Sequence, residues 1–204
     1  MFCRAASNNI NTNVMCNMRQ LLIIISLLFS CDKVLSQLNL NIDDVLQGDI
    51  RELKKYEYYD TSFHLNSITN STNVIEIRLY EHVMFGARCQ ILCFDGTKWS
   101  GKTTGILCYS KDSLITLNSN LNFYKILDSL TRNNIFTLPD QSALTLKGSA
   151  DDGVDYSILY KVGSKFRSYE FSNPDYYAEM NKEIKELKNY VTVVAIMNKL
   201  YTSR

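Results

Sequence analysis

The sequence predicts an α+β domain, in which an antiparallel sheet is packed by a mid-chain helix and a long C-terminal helix. Three observations predict this class. Residues 73–110 and 155–171 alternate in polarity or run apolar between turn residues, as strands do. Residues 120–132 carry apolar side chains at helical spacing. Residues 173–201 show the same spacing after an Asn-Pro start.

The N-terminal part of the domain predicts a short or broken helix, then a strand fragment and a loop. Apolar residues between Leu38 and Tyr56 recur near helical period, with acidic residues early and lysines late. Gly48 weakens this helix because glycine is a poor helix former. Residues 56–71 are aromatic at first and then rich in Ser, Thr and Asn, which indicates a strand fragment followed by a loop.

A run of strands follows. Residues 73–82 alternate and predict a half-buried strand, with Ile75, Ile77 and Leu79 on one face and Val74, Glu76, Arg78 and Tyr80 on the other. The apolar run Cys89–Phe94 predicts a central strand. Asp95-Gly96 is a hairpin turn signal, after which the chain returns as a strand through Trp99 towards Tyr109. Residues 114–117 are ambiguous.

The C-terminal half alternates helices with a second hairpin. Residues 120–131 predict an amphipathic helix after Asn and Ser capping residues, and residues 135–138 a short extended piece. Residues 156–161 and 166–171 predict two strands joined by a turn at Gly163. In the last helix Asn173 is the expected cap, and the β-branched patch at 191–194 is the expected place for a bend or break.

Ahead of this domain, residues 1–30 have the features of an export signal. Leu21–Ser30 is apolar and uncharged, and Arg19 stands just before it. The stretch is half the length of about 20 residues that a membrane-spanning helix needs. Met18-Arg19-Gln20 would make a compact start, so we expect translation to begin at Met18.

Two cleavage sites compete. Residues 28–31, Leu-Phe-Ser-Cys, resemble the lipobox of bacterial lipoproteins, in which the thiol of Cys31 would be lipidated and anchor the domain to a membrane. The alternative is an ordinary signal-peptidase site before Gln37, which would release a periplasmic or secreted protein. Either cut leaves residues 31–204 or slightly fewer, a length that suits a single globular domain.

Composition excludes one class of partner. Of the 22 basic residues, Arg4 and Arg19 lie in the signal, which leaves 20 against 21 acidic residues. No basic stripe follows any predicted element, so nucleic acid is not expected as a partner, because the phosphate backbone requires one. The expected partners are a membrane, through the lipid on Cys31, and an unknown protein or small ligand.

Cysteines suggest a bridge but no metal site. Outside the signal and Cys31, the domain contains Cys89, Cys93 and Cys108. In an oxidising compartment Cys93–Cys108 or Cys89–Cys108 is a candidate disulfide, if the two segments are neighbouring strands; the alternative is three buried thiols. His82 with these cysteines lacks the usual spacing of a zinc site, so neither a metal nor another cofactor is expected.

Residues 96–103 match the Walker A pattern letter for letter, with Gly96, Gly101, Lys102 and Thr103 at the required positions. An apolar strand precedes the motif, as a phosphate-binding loop requires. The residues after Thr103 are β-branched and interrupted by glycine, whereas a true loop leads into a helix whose N-terminus faces the phosphates. The sequence therefore favours a β-hairpin here and disfavours a nucleotide-binding enzyme.

Several short runs together resemble small exported proteins of Bacteroidetes-type bacteria, which are lipoproteins or secreted domains of unknown function. These runs are residues 75–80 (IEIRLY), 95–99 (DGTKW), 152–156 (DGVDY), 165–169 (KFRSY) and 173–174 (NP). The resemblance implies an exported α+β domain and no catalytic residues. The expected function is an exported, envelope-associated binding or interaction module without enzymatic activity; an inhibitor or immunity-type protein against an exported effector is the alternative.

Overall fold

The protein is an α+β protein built on a six-stranded antiparallel sheet. The structure is a computed structural model that describes residue 35 and residues 40–107, 115–116 and 121–200. The sheet order is β4-β3-β2-β1-β5-β6, and the strands are β1 (Ile75–Val83), β2 (Gly86–Phe94), β3 (Trp99–Leu107), β4 (Ile115–Thr116), β5 (Asp155–Val162) and β6 (Lys165–Ser172). The predicted fold class and both predicted hairpins are confirmed.

Helices flank the sheet on both sides. The α-helices are α1 (Glu57–Ser62), α2 (Phe123–Arg132), α3 (Pro174–Met180) and α4 (Lys185–Lys199). Four short 3₁₀ helices of the described chain lie at Ile42–Asp44, Ile50–Tyr56, Ile68–Asn70 and Gln141–Ala143. Within the described ranges, no helix combines the length and the apolar character needed to cross a bilayer.

One face of the sheet carries the main core. β1 contributes Ile75, Ile77 and Leu79, all essentially inaccessible to solvent. Against them pack the apolar faces of α2 and α4, which supply Leu127, Leu130, Leu187, Tyr190, Val193 and Met197. Helices pack a sheet in this way because each element buries its apolar face against the other. The predicted packing of the mid-chain and C-terminal helices on the sheet is therefore confirmed.

The opposite face of β1 is buried too, which corrects the prediction of a half-buried strand. Residues 50–70 lie across this face, where Leu53, Tyr56, Phe63 and Ile68 pack with Tyr80 and with Cys89, Ile91 and Leu159. The alternation assigned each side chain to the right face, but it could not show that a second layer covers the polar one. Glu76 and Arg78 are consequently buried charges.

The N-terminal elements differ from the predictions. Residues 40–56 contain two 3₁₀ segments where a short or broken α-helix was predicted. Between the two segments Gly48 is bonded to β6: its N–H donates to the Phe166 carbonyl at 2.8 Å. A side chain at Gly48 would also lie 2.9 Å from Cγ of Arg167. Residues 57–62 form α1 rather than the predicted strand fragment.

Three further predictions were wrong. Residues 135–138 form turns, closed by hydrogen bonds to the Asn134 carbonyl, instead of an extended piece. The C-terminal helix breaks at Asn181 and not at residues 191–194, because the Asn181 amide bonds the backbone N–H and C=O of Lys147. Asn173 adopts a left-handed conformation, and its side chain accepts from the N–H of Val154 instead of capping α3.

The exposed edge of β6 is closed by side chains. Three of its outward N–H groups donate to side-chain oxygens: that of Phe166 to Gln47 (3.0 Å), that of Glu170 to Asp140 (3.0 Å) and that of Ser172 to Gln141 (2.6 Å). Unpaired strand edges otherwise offer such groups to other chains. These bonds also hold residues 140–142 beside the sheet, where they form one wall of a cleft.

Candidate functional site

A cleft of about 910 Å³ lies over the ends of β1, β5 and β6, on the face that residues 50–70 cover in part. Its floor is polar, since the register places His82, Asp155 and Ser172 side by side and Ser157 opposite Glu170. One wall comes from the N-terminal layer and is lined by Lys55, Tyr56 and Tyr59. The other wall comes from the segment beside β6 and is lined by Asp140, Gln141, Ser142, Leu144 and Leu146.

Glu170 ties the floor to the N-terminal wall. Its Oε1 accepts from the Tyr56 hydroxyl at 2.7 Å and lies 2.9 Å from Nζ of Lys55. Burial opposes ionisation of Glu170, but the hydrogen bonds from Lys55 and Tyr56 outweigh it and lower the pKa of this carboxyl. Glu170 is therefore ionised at neutral pH, and its charge is balanced by the Lys55 ammonium.

Asp140 orders the opposite wall. Its carboxylate accepts from the N–H and hydroxyl of Ser142, at 3.0 and 2.7 Å, and from the N–H of Glu170 at 3.0 Å. Although burial opposes ionisation, the bonds from Ser142 outweigh it and lower the pKa of Asp140. These hydrogen-bond donors are neutral, and the charge of Lys55 also lowers the pKa of Asp140, so Asp140 is ionised in the cleft.

His82 and Asp155 form a part of the cleft floor whose side chains make no hydrogen bond to other described residues. The His82 ring packs on Tyr59, with centroids 4.7 Å apart, and its nitrogens make no hydrogen bond within the described part of the chain. Burial lowers the pKa of His82, although Asp155 and Glu170 oppose the shift. Asp155 is exposed, and its carboxylate has no hydrogen bond or ion pair with another described residue.

A serine, a histidine and an aspartate thus meet in the cleft, but they are not arranged for nucleophilic catalysis. An activated serine needs a hydrogen bond to its base, and the base needs one to an orienting group. Among the described residues, His82 bonds neither Ser157 nor Asp155, and Ser157 is buried beneath the cleft. The arrangement suits binding through charge, hydrogen bonds and aromatic surface.

The Walker A match lies in a β-hairpin. Gly96 occupies the turn with φ of 101°, where Oδ1 of Asp95 accepts from the Lys98 N–H at 2.9 Å. Gly101, Lys102 and Thr103 lie within β3, paired with β2, so Thr103 does not begin a helix. The structure therefore provides neither the phosphate cradle nor the helix N-terminus that the motif needs.

Of the cysteines singled out in the sequence, the structure describes Cys89 and Cys93. Cys31, the predicted lipidation site, and Cys108 lie outside the described residues, so lipidation and the Cys93–Cys108 bridge stay predictions. Cys89 and Cys93 are free thiols, and burial raises the pKa of Cys93 to about 12.

No metal centre was expected from the sequence, and the described ranges contain no group of three or more His, Cys, Asp or Glu that could hold one. The cleft itself was missed, because its lining comes from segments far apart in the chain. Only the alternation that places His82 and Asp155 at strand ends was visible.

Comparison of the chain with protein-family models, with curated proteins and with solved structures gave no match in any of the three.

Proposed function

We propose that this protein is an exported, envelope-associated binding module, without enzymatic activity, that holds a polar ligand in the cleft. The observation that carries the proposal is the cleft itself. Its volume of about 910 Å³ lies in the range of small-molecule sites, which run to roughly 1,000 Å³. Its lining combines aromatic rings with a few convergent charged groups, as such sites do.

The lining is also pre-organised. Tyr56, Asp140 and Glu170 are fixed by hydrogen bonds within the protein, so a ligand does not have to order them. Ordering side chains on binding costs about 0.5–1.5 kcal/mol for each long side chain, and a site that avoids this cost binds more tightly. The absence of an activated nucleophile from the described lining supports binding over catalysis.

Export is tested on the full chain expressed in a bacterium of the Bacteroidetes type, by cell fractionation and intact mass. A mature chain that begins with a lipidated Cys31 in the membrane fraction would support an anchored module. A chain that begins at Gln37, in the periplasm or medium, would support a free one. An uncleaved cytoplasmic chain would contradict export.

Binding is tested by calorimetric titration of the purified protein with a panel of a diamine, a dicarboxylate and a neutral disaccharide. We expect at least one probe class to bind the wild type and to lose binding in Ser172→Trp, which places an indole on the floor of the cleft. The melting temperature of the variant provides the control for folding. If no probe class binds, or if binding survives the indole, the cleft is not the ligand site.

An inhibitor or immunity-type role is the second candidate, and one observation favours it. Tyr58, Met84 and Phe85 are exposed by 75%, 74% and 60%, and each lies within three residues in sequence of a cleft-lining position. Large apolar side chains grouped on a surface mark protein contacts more often than chance. A photo-crosslinking residue at position 85 in the producing cell should give a discrete protein adduct, whereas the same residue at position 44 should give none.

A further inference from the structure

An alkylammonium group is already held in the cleft. Nζ of Lys55 lies 2.9 Å from the Glu170 carboxylate and 5.1 Å from the centroid of the Tyr56 ring. A carboxylate and an aromatic face attract a cation together, the first by its charge and the second by its quadrupole. The position of Lys55 therefore shows that the lining of this half of the cleft binds an ammonium group.

The other half repeats these groups without a cation. Asp155 supplies a carboxylate that makes no ion pair with a described residue. Its neighbour on β1 is His82, whose ring packs on the Tyr59 ring. Among the described lining residues, Lys55 is the only basic side chain apart from His82, against the three carboxylates of Asp140, Asp155 and Glu170. The cleft is therefore negative overall, which repels anions and attracts cations.

The cleft wall opposite the N-terminal layer is partly apolar, so it favours a ligand that contains a hydrocarbon segment. Leu144 and Leu146 line the cleft next to Asp140. The hydrogen-bond donors to the Asp140 carboxylate are all neutral, and the Lys55 ammonium, which helps to lower the pKa of Asp140, is itself paired with Glu170. A neutral sugar would leave both charges unmatched, and an inorganic cation would leave the leucines and most of the volume uncovered. A chain of methylene groups between two amino groups matches the charges and the apolar wall together.

Building on the proposed function, we propose that the ligand of the cleft is a linear diamine or polyamine. One ammonium group is held by Asp155 beside the Tyr59 and His82 rings, and another by Asp140. The methylene groups between them lie against Leu144 and Leu146. Lys55 is paired with Glu170, so the two ammonium groups of the ligand are held by Asp155 and Asp140.

The test is calorimetric titration of the full mature chain with 1,5-diaminopentane and spermidine, with glutarate and cellobiose in parallel. We expect both amines to bind and glutarate not to bind. Asp155→Asn should weaken amine binding at least tenfold. Asp44→Asn is the matched control and should change nothing, because Asp44 is an exposed carboxylate near the β5–β6 turn, at the far end of the hairpin from the cleft.

The outcomes separate this inference from the proposed function. If cellobiose or glutarate binds, loses binding in Ser172→Trp, and the amines do not bind, the cleft is a ligand site and the amine assignment is wrong. If the amines bind equally to wild type, Asp155→Asn and Ser172→Trp, the binding is general ion pairing and the assignment is also wrong. If no probe binds, both proposals fall.

Discussion

Arg78 is the centre of a buried charge network, and its replacement by methionine should destabilise the protein severely. The Arg78 side chain is only 4% exposed, and its partners Asp60 and Glu76 are 6% and 5% exposed. Its guanidinium donates to Asp60 Oδ1 at 2.6 Å, to Glu76 Oε1 at 2.7 Å and to the Asn66 carbonyl at 2.8 Å. Methionine fills similar volume but leaves two carboxylates buried without a cation.

The size of the effect follows from these contacts. Two of the three bonds join full charges, and a hydrogen bond to a charged group contributes about 1.5–3 kcal/mol. Removing one partner of a buried ion pair costs about 3–5 kcal/mol. We therefore expect Arg78→Met to lower the free energy of unfolding by about 4 kcal/mol, a large part of the roughly 5–15 kcal/mol typical of a domain.

Urea denaturation at several pH values is the assay. In the wild type burial already raises the pKa of Asp60, whereas Arg78, Ser71 and Asn73 together hold the pKa of Glu76 below its usual value against burial. In Arg78→Met the pKa of Glu76 should rise above the unfolded value and that of Asp60 should rise further. The loss of unfolding free energy caused by the two unpaired carboxylates is then absent below the unfolded pKa and grows as pH rises towards neutral. Arg51→Met is the matched control, since its ion pair with Asp49 is solvent-exposed. The triple variant Asp60→Asn, Glu76→Gln, Arg78→Met should recover much of the loss. A loss below about 1 kcal/mol at pH 7, or one independent of pH, would refute the network as described.

Four other measurements probe the fold and the site. Tyr160→Phe should lower the free energy of unfolding by about 1–3 kcal/mol, because its buried hydroxyl shares its one hydrogen between two backbone carbonyls at 2.8 and 2.7 Å; an unchanged urea midpoint would contradict this. Because the pKa of Glu170 is lowered in the folded state, its contribution to stability is present above the unfolded pKa and is lost as pH falls; Glu170→Gln should flatten the acid limb of the stability profile. Gly153→Ala should cost about 1–3 kcal/mol, since φ is +154° and a Cβ would lie 1.5 Å from the Asn173 side chain; Ser164→Ala serves as control. Millimolar MgATP should leave the melting temperature unchanged, and a rise abolished by Lys102→Ala would restore the phosphate-binding loop.

Strands were the predictable part of this fold, because their signal is local. The alternation around Ile77 and the Asp95-Gly96 turn are short-range patterns, and the structure has β1, β2 and β3 where they indicated. The N-terminal layer was not predictable in the same way. Gly48 is bonded to β6, more than a hundred residues away, and that contact replaces the helix that the local spacing indicated.

The cleft was predictable only in fragments. His82 and Asp155 could each be placed at a strand end, but their adjacency depends on β1 pairing with β5 across the 71 residues between β1 and β5, a register that no local pattern fixes. Tyr56 and Tyr59 looked like parts of a strand fragment, so their position over the floor was hidden. Asp140 had no signal beyond its place after Pro139 in a turn.

The side chains that close the β6 edge have a consequence for crowded surroundings. At high local concentration a bare strand edge recruits neighbours into a growing sheet. Gln47, Asp140 and Gln141 already occupy the N–H groups that an incoming strand would need. A Gln47→Ala, Asp140→Ala, Gln141→Ala chain would expose these donors, and its tendency to form fibrils, compared with wild type at equal concentration, measures how far the closed edge keeps the protein soluble.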